Sequence, residues 1–498
     1  MRACPWLGWL GCWLVLTGAS GLAQQAQKSR LQQVDAEGLA LLRDGKIGEA
    51  GLKFREALQI DPEDLDALSG LGVVASKQGD YANAVVLFER ALRLAPGDAR
   101  NHANLALALR GGGRLNEAIA ELEKASALAP QDAVVHRDLG VALMDAGEYP
   151  KAEEALRKSE RLDPLSSATH QALARLLTRQ RRSQEAFEEY HAAVRLRPRQ
   201  PDLRFELGKL YQATGDFTRA AEEFEVATQL EPRNSTFHQA RGNIEFKLRN
   251  LAAAETELRR AVELDPRSGE ARRDLAVVLR QEGKLPECLE QLNSAALLLP
   301  NDSSVRFMLG QALQKAGQRE DAAEALRSAQ ELGRKQKDAA LANADVIEGA
   351  KLLERGQAAE AGAKFQQALH LNPDDLLAQY DYGVALLLQN HLDEAIKHFH
   401  IVLAAKPDDP DANYYAGRAF LAKNQPAEAV MYLKEAVKAR PDDSHAHNAL
   451  AVALAGIKEF PAALSELRTA RTLAPDNPLF DQNLRCLEKR LEDCALSP

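Results

Sequence analysis

A proline recurs every 34 residues along most of this chain. A repeat period between about 20 and 50 residues indicates stacked structural units, each of which needs its neighbours to bury its apolar side chains. The periodicity therefore predicts a core that grows along one axis rather than a single globular core. The prolines are Pro62, Pro96, Pro130, Pro164, Pro198, Pro232, Pro266 and Pro300, and then Pro373, Pro407, Pro441 and Pro475.

Each period predicts two helices, and residues 65–98 are the clearest copy. Apolar and small residues recur at helical spacing from Leu68 to Ala75 and again from Ala84 to Leu92. Gly79 ends the first helix because glycine accepts a positive φ, and Pro96 ends the second because it lacks an N–H group. Neither helix can bury its apolar face alone, so consecutive copies must pack together.

Ten positions define this copy: Leu68, Leu71, Gly72, Ala75, Gly79, Tyr81, Ala84, Phe88, Ala91 and Pro96. Their pattern resembles the tetratricopeptide repeat (TPR) family, whose period is also about 34 residues. The resemblance covers about nine-tenths of the chain. It implies an all-α fold, an α-solenoid forming a right-handed superhelix of about 13 TPR helix pairs with a C-terminal capping helix.

The period is interrupted between Pro300 and Pro373, where the interval is five residues longer than two periods. We therefore predict two blocks of repeats separated by a joint. The predicted segments are a signal peptide (1–23), a polar lead (24–30), repeats 1–9 (31–333), the joint (334–341), repeats 10–13 (342–477), and a capping helix with a tail (478–498).

The first 23 residues have the composition of a secretory signal peptide. Arg2 precedes an apolar run from Trp6 to Leu16, and small residues follow up to Ala23. This pattern predicts cleavage after Ala23 and export to the periplasm or out of the cell. The alternative is an uncleaved membrane anchor, because residues 3–23 are uncharged and just long enough to span a bilayer.

The five cysteines predict no disulfide framework. Cys4 and Cys12 lie in the predicted signal peptide, and Cys288 takes the position of a small buried residue. Cys486 and Cys494 are eight residues apart on the predicted capping helix. That spacing is about 12 Å along a helix axis, which is too far for a disulfide.

Charge and motifs argue against several classes of function. The net charge of −9 opposes general binding to nucleic acid or to an anionic membrane, which requires a basic surface. The sequence contains no nucleophile elbow, phosphate-binding loop, dinucleotide fingerprint or HExxH zinc motif. We therefore expect neither enzymatic activity nor a cofactor.

Five histidines occupy the position of Leu68 in their repeats. Neighbouring helices lie about 8–10 Å apart, which is too far for two of these rings to bind one metal ion. We therefore expect the histidines to pack between repeats. These histidines are His102, His136, His170, His238 and His447.

The resemblance implies that the first helix of each repeat lines a groove with its second, fifth, ninth, twelfth and thirteenth residues. At these positions, repeats 5–9 predict a basic and amide-rich groove that includes Arg175, Arg179, Lys209, Asn243, Lys247, Arg273 and Arg280. Repeats 10–12 predict an apolar groove that includes Tyr380, Val384, Leu387, Tyr414 and Leu421.

These two surfaces predict a non-catalytic scaffold or adaptor that binds protein or peptide segments in its groove. Tyr380 and Tyr414 would anchor apolar side chains, the basic residues would meet acidic ones, and Asn243 would bond the peptide backbone. By analogy with long arrays of this kind, we expect a role in envelope assembly or secretion. The carboxylate clamp of chaperone-binding TPR proteins is not in register here.

Two alternatives remain open at this point. The amide-rich groove would also suit an envelope polysaccharide or another glycan. The aromatic residues would also serve to seal the joint between the two blocks, in which case they are packing residues rather than a binding patch.

Overall fold

The computed structural model describes residues 8–489 and residue 496, with side chains for residue 25, residues 27–488 and residue 496. Every regular element in this part of the chain is a helix, and adjacent helices pack as stacked pairs. This confirms the all-α solenoid class. The helices are α1 (Gly8–Arg43), α2 (Ile47–Ile60), α3 (Leu65–Lys77), α4 (Tyr81–Leu94), α5 (Ala99–Gly111), α6 (Leu115–Leu128), α7 (Ala133–Asp145), α8 (Tyr149–Leu162), α9 (Ser167–Arg179), α10 (Ser183–Leu196), α11 (Pro201–Thr214), α12 (Phe217–Leu230), α13 (Ser235–Lys247), α14 (Leu251–Leu264), α15 (Gly269–Gln281), α16 (Leu285–Leu298), α17 (Ser303–Lys315), α18 (Arg319–Glu354), α19 (Ala358–Leu371), α20 (Leu376–Leu388), α21 (Leu392–Ala405), α22 (Pro410–Ala422), α23 (Pro426–Ala439), α24 (Ser444–Gly456), α25 (Phe460–Leu473) and α26 (Pro478–Lys489).

A side-chain cap sets the start of most first helices. Asp64, two residues after Pro62, accepts a hydrogen bond from the backbone N–H of Ala67 at 2.7 Å. An N-cap acceptor of this kind satisfies one of the amide groups that a helix leaves open at its start. Caps at the equivalent position are Asp98, Asp132, Ser166, Asn234, Ser268, Asp302, Asp375, Asp409 and Asp443.

Close approach holds the two helices of a repeat together. A Cβ atom added to Gly72 would lie 2.7 Å from Cε1 of Phe88, and Gly383 has the same relation to Phe399. Both phenylalanines are fully buried. The large ring therefore fills the space that the glycine leaves open, as the sequence pattern predicts.

The turn between the two helices of a repeat contains a left-handed residue. Gly79 has a φ of +80°, as expected for glycine. Arg181 and Asn390 occupy the same position with φ values of +61° and +62°. Packing of the helix pairs therefore imposes this conformation even where the sequence supplies a side chain. Arg249, Asn424 and Lys458 are the further non-glycine residues at this position.

The chain forms two compact units that divide between Leu298 and Leu299. Unit 1 contains α1–α16, and unit 2 contains α17–α26. The predicted joint, residues 334–341, lies instead inside α18, which serves as the second helix of repeat 9 and the first helix of repeat 10. Residues 334–341 contain neither glycine nor proline, so the five extra residues lengthen a helix rather than interrupt it.

The predicted signal peptide is only partly covered by the structure. Residues 1–7 lie outside the described residues, whereas residues 8–30 form part of α1, so the predicted polar lead is helical. Among the described helices, none combines the length and apolar character needed to cross a membrane. Cleavage after Ala23 and export stay predictions.

The last helix packs on the repeat before it. Phe480 and Leu484 of α26 are buried, and the side-chain amide of Asn483 donates to Oδ1 of Asn448 at 2.8 Å. Residues 490–495, 497 and 498 of the predicted cap and tail lie outside the described residues. Cys486 is disulfide-bonded, which corrects the expectation that no disulfide forms, an expectation that rested on helical spacing alone.

Candidate functional site

The first helices carry both predicted surfaces. We call the second, fifth, ninth, twelfth and thirteenth residues of each first helix the first-helix face. Arg175, Arg179, Lys209, Lys247 and Arg280 are exposed on this face, where the sequence places them. Their role in binding a partner stays a prediction.

Arg175 has a partner on the next first helix. Its Nε donates to Oε1 of Glu206 at 2.9 Å, and Gln171 donates to Oε2 of the same carboxylate at 2.9 Å. The hydrogen bond to Glu206 raises the pKa of Arg175. One guanidinium and one amide of the predicted basic groove are thus used to join repeat 5 to repeat 6.

The same arrangement recurs two repeats further on. The side-chain amides of Asn243 and Gln239 each donate to Oδ2 of Asp274 at 2.8 Å. Arg273 donates to Oδ1 of Asp274 at 3.1 Å. This carboxylate therefore receives hydrogen bonds on both oxygens and neutralises the guanidinium beside it.

Three of the acids on or beside this face lie at the sixth residue of a first helix, whereas Asp145, 3.7 Å from Arg179, is the thirteenth residue of α7. Asp138 accepts from Arg137 at 2.8 Å in the same way that Glu206 and Asp274 accept from their neighbours. The sequence analysis missed these residues because it read only five positions. An acid at the sixth position of alternate repeats is a signal that the sequence contains.

The other predicted basic residues are partly engaged. Lys209 Nζ lies 5.7 Å from the centre of the Phe205 ring, and Lys247 Nζ lies 4.9 Å from that of Phe217. Arg179 donates to the carbonyl oxygen of Met144 at 3.1 Å. On the face of repeats 5–8, Arg175 and Arg273 thus contact carboxylates, whereas Lys209 and Lys247 contact rings and no carboxylate among the described residues.

The predicted aromatic anchors lie in a lattice of rings. Tyr380 is 5.8 Å from Tyr415 and 6.2 Å from Phe399, and Tyr414 is 5.1 Å from Tyr415, all between ring centres. Burial raises the pKa of both Tyr380 and Tyr414. Val384 packs against the same core cluster as Tyr380. Tyr380, Val384 and Tyr414 are therefore half-buried and pack against neighbouring side chains of the core.

Leu387 and Leu421 meet at a cavity of about 590 Å³ on the first-helix face of repeats 11–13. Leu388, which is 60% exposed, and Val452 also border it, as does Leu496. Arg418 is the cation of this cavity wall, and its guanidinium carbon lies 5.6 Å from the centre of the Tyr414 ring. Among the described residues, Arg418 forms no ion pair with a carboxylate.

Asp381 is a half-buried carboxyl beside Tyr380 on α20. Within the described residues it forms neither a hydrogen bond nor an ion pair. Burial, with a smaller contribution from Asp375, raises the pKa of Asp381 to about 6. This region therefore contains an acid and a base that are each left without a partner of opposite charge, unlike the acids of repeats 4–8.

The histidines at the position of Leu68 lie at repeat junctions. In all five, Nε2 donates to the carbonyl oxygen of the proline six residues earlier, at 2.9–3.1 Å. In four of them, Nδ1 lies 2.5–2.7 Å from a glutamate oxygen 19 residues later. The histidines thus tie the closing turn of one repeat to both helices of the next.

One junction groups three residues that are possible metal ligands. Glu160, His170 and Glu189 have oxygen and nitrogen atoms within 4.8 Å of one another. Arg157 Nη1, however, lies 2.5 Å from Glu189 and 3.0 Å from Glu160, so both carboxylates already face a cation. Burial alone would raise the pKa of Glu189, but hydrogen bonds from His170 and Arg157 outweigh it and lower that pKa. The absence of a metal stays a prediction.

Comparison with known families agrees with this architecture. A model described as the C-terminal domain of cilia and flagella-associated protein 70 matches residues 19–274, just over half of the 498 residues. Models described as tetratricopeptide repeats match residues 303–328, 352–419 and 414–478. The chain belongs to the tetratricopeptide repeat family.

Solved TPR structures resemble parts or most of the chain. The pilF protein of Pseudomonas aeruginosa is 25% identical with a TM-score of 0.37, over 42% of this chain and 94% of that one. A thermophilic TPR protein of Thermus thermophilus is 26% identical with a TM-score of 0.34, over 36% and 99%. The Cut9–Hcn1 hetero-tetramer of the APC/C is 14% identical with a TM-score of 0.36, over 93% and 98%. Among curated proteins, none matches the chain.

The TPR fold is that of a scaffold for protein–protein interaction, and TPR proteins are typically not catalytic. A TPR protein binds partners through the surface that its repeats leave open. In this chain, Arg175 and Arg273 on the basic face contact carboxylates, whereas Leu387, Leu388, Leu421 and Arg418 border an open cavity in repeats 11–13.

Proposed function

We propose that this TPR chain is an exported scaffold for envelope assembly or secretion. It holds segments of partner proteins on the first-helix face of repeats 11–13. The observation that carries this proposal is the cavity of about 590 Å³ bordered by Leu387, Leu421 and Val452, with Arg418 in its wall. Exposed apolar patches bordered by polar groups mark protein-binding sites.

The chemistry of the cavity defines the segment that it would bind. Leu387, Leu388 and Leu421 offer an apolar wall for an aliphatic side chain. Arg418 has no carboxylate partner within the described residues, so an acidic side chain next to the aliphatic one would form a charge-assisted hydrogen bond with it. The guanidinium of Arg418 forms cation–π contacts with the rings of Tyr414 and Tyr415, whose centres lie 5.6 and 5.7 Å from its carbon.

The test compares affinity capture from the native cells by the full chain and by a Leu387→Asp/Leu421→Asp variant. We expect a partner that is lost from this variant, and we expect synthetic peptides from that partner to bind the native chain with a measurable Kd. Met431→Asp is the matched control, because Met431 is 68% exposed on α23 and does not border the cavity. Equal capture by all three proteins would contradict the proposed groove.

Export has its own test. We propose that the mature chain begins at Gln24, after removal of residues 1–23. N-terminal sequencing of the protein from separated periplasmic, secreted and membrane fractions measures this directly. An intact Met1 in the membrane fraction would contradict export by a cleaved signal and support the anchor.

The glycan alternative has less support from the contacts. It rested on the amide-rich groove of repeats 5–9, where Asn243 donates to Asp274, as does the neighbouring Gln239. Amide groups that already bond within the protein must break those bonds to bind sugar hydroxyls. We therefore propose a peptide rather than a glycan as the ligand.

A further inference from the structure

Three repeat junctions contain a histidine whose two ring nitrogens both face hydrogen-bond acceptors. In repeat 3, Nε2 of His102 lies 3.0 Å from the carbonyl oxygen of Pro96, and Nδ1 lies 2.5 Å from Oε2 of Glu121. His238 and His447 make the same two contacts in repeats 7 and 13. All three histidines are buried, so each polar contact has to be satisfied within the protein.

A neutral imidazole cannot satisfy both acceptors. It has one N–H group, so its other nitrogen presents a lone pair, whereas a carbonyl oxygen and an ionised carboxylate can only accept. Burial alone would raise the pKa of Glu121, but hydrogen bonds from Lys124 and His102 outweigh it and lower that pKa, so this acceptor is ionised at neutral pH. Only the protonated ring, with N–H groups on both nitrogens, makes both hydrogen bonds.

The same position holds a permanent cation in repeat 8. Nε of Arg272 donates to the carbonyl oxygen of Pro266 at 3.1 Å, and its Nη1 donates to Oε1 of Gln291 at 2.9 Å. The proline lies six residues before the arginine and the glutamine 19 residues after it, which are the spacings of the histidine contacts. The junction therefore accommodates a positive charge at this position.

Repeat 4 is the contrasting junction. Nε2 of His136 lies 3.0 Å from the carbonyl oxygen of Pro130, but the residue 19 positions after this histidine is Ala155. Within the described residues, Nδ1 of His136 has no carboxylate partner. A neutral ring can therefore carry its one proton on Nε2 and keep the hydrogen bond to the proline carbonyl at any pH.

Other charged groups near the three histidines contact the carboxylates rather than the rings. Lys124 Nζ lies 2.7 Å from Oε1 of Glu121. Arg241 Nη1 lies 3.1 Å from Oε1 of Glu257, and its Nη2 lies 3.4 Å from Glu225 of α12. These cations favour the ionised carboxylate but do not supply the second proton that the ring needs. The charged residues that border the cavity next to the His447 junction are Lys434, Lys438, Glu459 and Glu466.

We propose that His102, His238 and His447 make the coupling between neighbouring repeats depend on pH. When the ring loses one proton, the remaining N–H stays on Nδ1, because the carboxylate is the stronger acceptor. The contact with the proline carbonyl is then lost, and this contact joins the closing turn of one repeat to the first helix of the next. The inference does not depend on the proposed partner groove.

The direction of the effect follows from the linkage between protonation and packing. An imidazole in water has a pKa of about 6.5. The tight junction requires the protonated ring, so its stabilisation is fully present below about pH 6.5 and is lost as the pH rises above that value. His102 and His238 lie in unit 1 and His447 in unit 2, so the same change in pH acts in both units.

Hydrogen exchange followed by mass spectrometry tests the proposal on the native chain. The closing turns at residues 95–98, 231–234 and 440–443 are each closed by a hydrogen bond from the last amide to the first carbonyl. We expect their protection factors, corrected for the intrinsic effect of pH, to fall about tenfold between about pH 5.5 and about pH 8, because a hydrogen bond to a charged group is lost. The turn at residues 129–132, next to His136, should change by less than about twofold.

Two variants of repeat 13 separate protonation from packing. Glu466→Ala gives His447 the surroundings of His136, so residues 440–443 should stay protected at both pH values. His447→Arg introduces the permanent cation that repeat 8 has at this position, and it should also remove the pH dependence. Glu320→Ala, at an exposed glutamate of α18, is the control and should leave the dependence unchanged.

The comparison of turns within the native chain holds whether or not a variant folds. An equal fall in protection at residues 129–132 and at the other three turns would overturn the inference. A tenfold fall at residues 440–443 that persists in the Glu466→Ala variant would overturn it as well.

Discussion

The first-helix faces of repeats 5–8 and of repeats 11–13 stand on the same type of helix pair, but they differ in how their side chains are used. In the first region, Arg175 and Arg273 contact carboxylates of this chain. In the second, Leu388 is exposed and Arg418 has no carboxylate partner within the described residues. Residue type therefore does not identify a binding surface. A side chain is available to a partner only where the chain itself does not already supply the complementary group.

If the cores of the two units are equally well packed, removing a buried ring from either should cost a similar free energy of unfolding. Phe224→Ala in unit 1 and Phe399→Ala in unit 2 should each lower the free energy of unfolding by about 3–5 kcal/mol, because both side chains are fully buried. Urea denaturation followed by circular dichroism measures the loss, and hydrogen exchange shows which helices are affected.

Leu297→Ala and Met431→Ala are the controls, since these side chains are 84% and 68% exposed. They should change stability by less than about 0.5 kcal/mol. A much smaller effect of Phe399→Ala than of Phe224→Ala would contradict the assumption, because unit 2 would then be loosely packed and its cavity would not be a defined site.

Asp274 of repeat 8 accepts hydrogen bonds from its own chain, whereas Arg418 of repeat 12 has no carboxylate partner among the described residues. Asp274→Ala should cost about 1–3 kcal/mol, because it leaves Asn243, Gln239 and Arg273 without their acceptor. Arg418→Ala should cost less, about 0.5–1 kcal/mol, because it loses the contacts of the guanidinium with the Tyr414 and Tyr415 rings but no ion pair among the described residues. Chemical denaturation of both variants measures the two values. Comparable losses would show that Arg418 is a structural residue.

The pH dependence of unit 2 provides a third prediction. Burial raises the pKa of Asp381 to about 6, so the folded chain binds a proton that the unfolded chain releases near pH 4. Stability should therefore fall as the pH rises from about 4 to about 6. Asp381→Asn should remove this dependence and stabilise unit 2 at pH 7 by about 1–2 kcal/mol, allowing for partial exposure.

His170 in unit 1 provides the contrast for this pH experiment. The hydrogen bond to Glu189 raises the pKa of His170, so its contribution is fully present below the unfolded pKa and is lost as the pH rises through the folded pKa. The loss thus begins above about pH 6.5, outside the window of Asp381. Hydrogen exchange of α9 and α20 across pH 4–8 separates the two effects. A single common transition would contradict the assignment.

The smallest expected effect concerns the left-handed turn residues. Arg181→Gly in unit 1 should stabilise the chain by about 1 kcal/mol, because glycine adopts a φ of +61° without strain. Asn390→Gly in unit 2 should gain only a few tenths of a kcal/mol, since asparagine tolerates this region. Thermal denaturation of the two variants ranks them. The opposite order would show that the Arg181 side chain has a stabilising role in its turn.

The joint that the sequence predicts at residues 334–341 lies inside the continuous helix α18. The prolines and the cap residues such as Asp64 mark each helix start, because both act through the backbone of neighbouring residues. The five extra residues before Pro373 carry no comparable local signal. Their sequence is compatible with a helix or a loop, and packing on both sides selects the continuous α18.

The candidate site shows the same division. Position on the first helix places Leu387 and Leu421 correctly at one cavity, since the fold fixes which side of the helix is open. It does not reveal that Tyr380 is half-buried in a ring lattice or that Glu206 accepts from Arg175.

The 34-residue period, the helix pairs and the sites of close approach such as Gly72 follow from the amino-acid sequence alone, because they depend on local backbone preference and side-chain volume. Which charges on the first-helix face are available is visible only in the folded chain. Arg175 and Glu206 are 31 residues apart, and their contact exists only because one repeat stacks on the next. Electrostatic neutralisation depends on distance in space, which repeat stacking sets and which a single repeat does not contain.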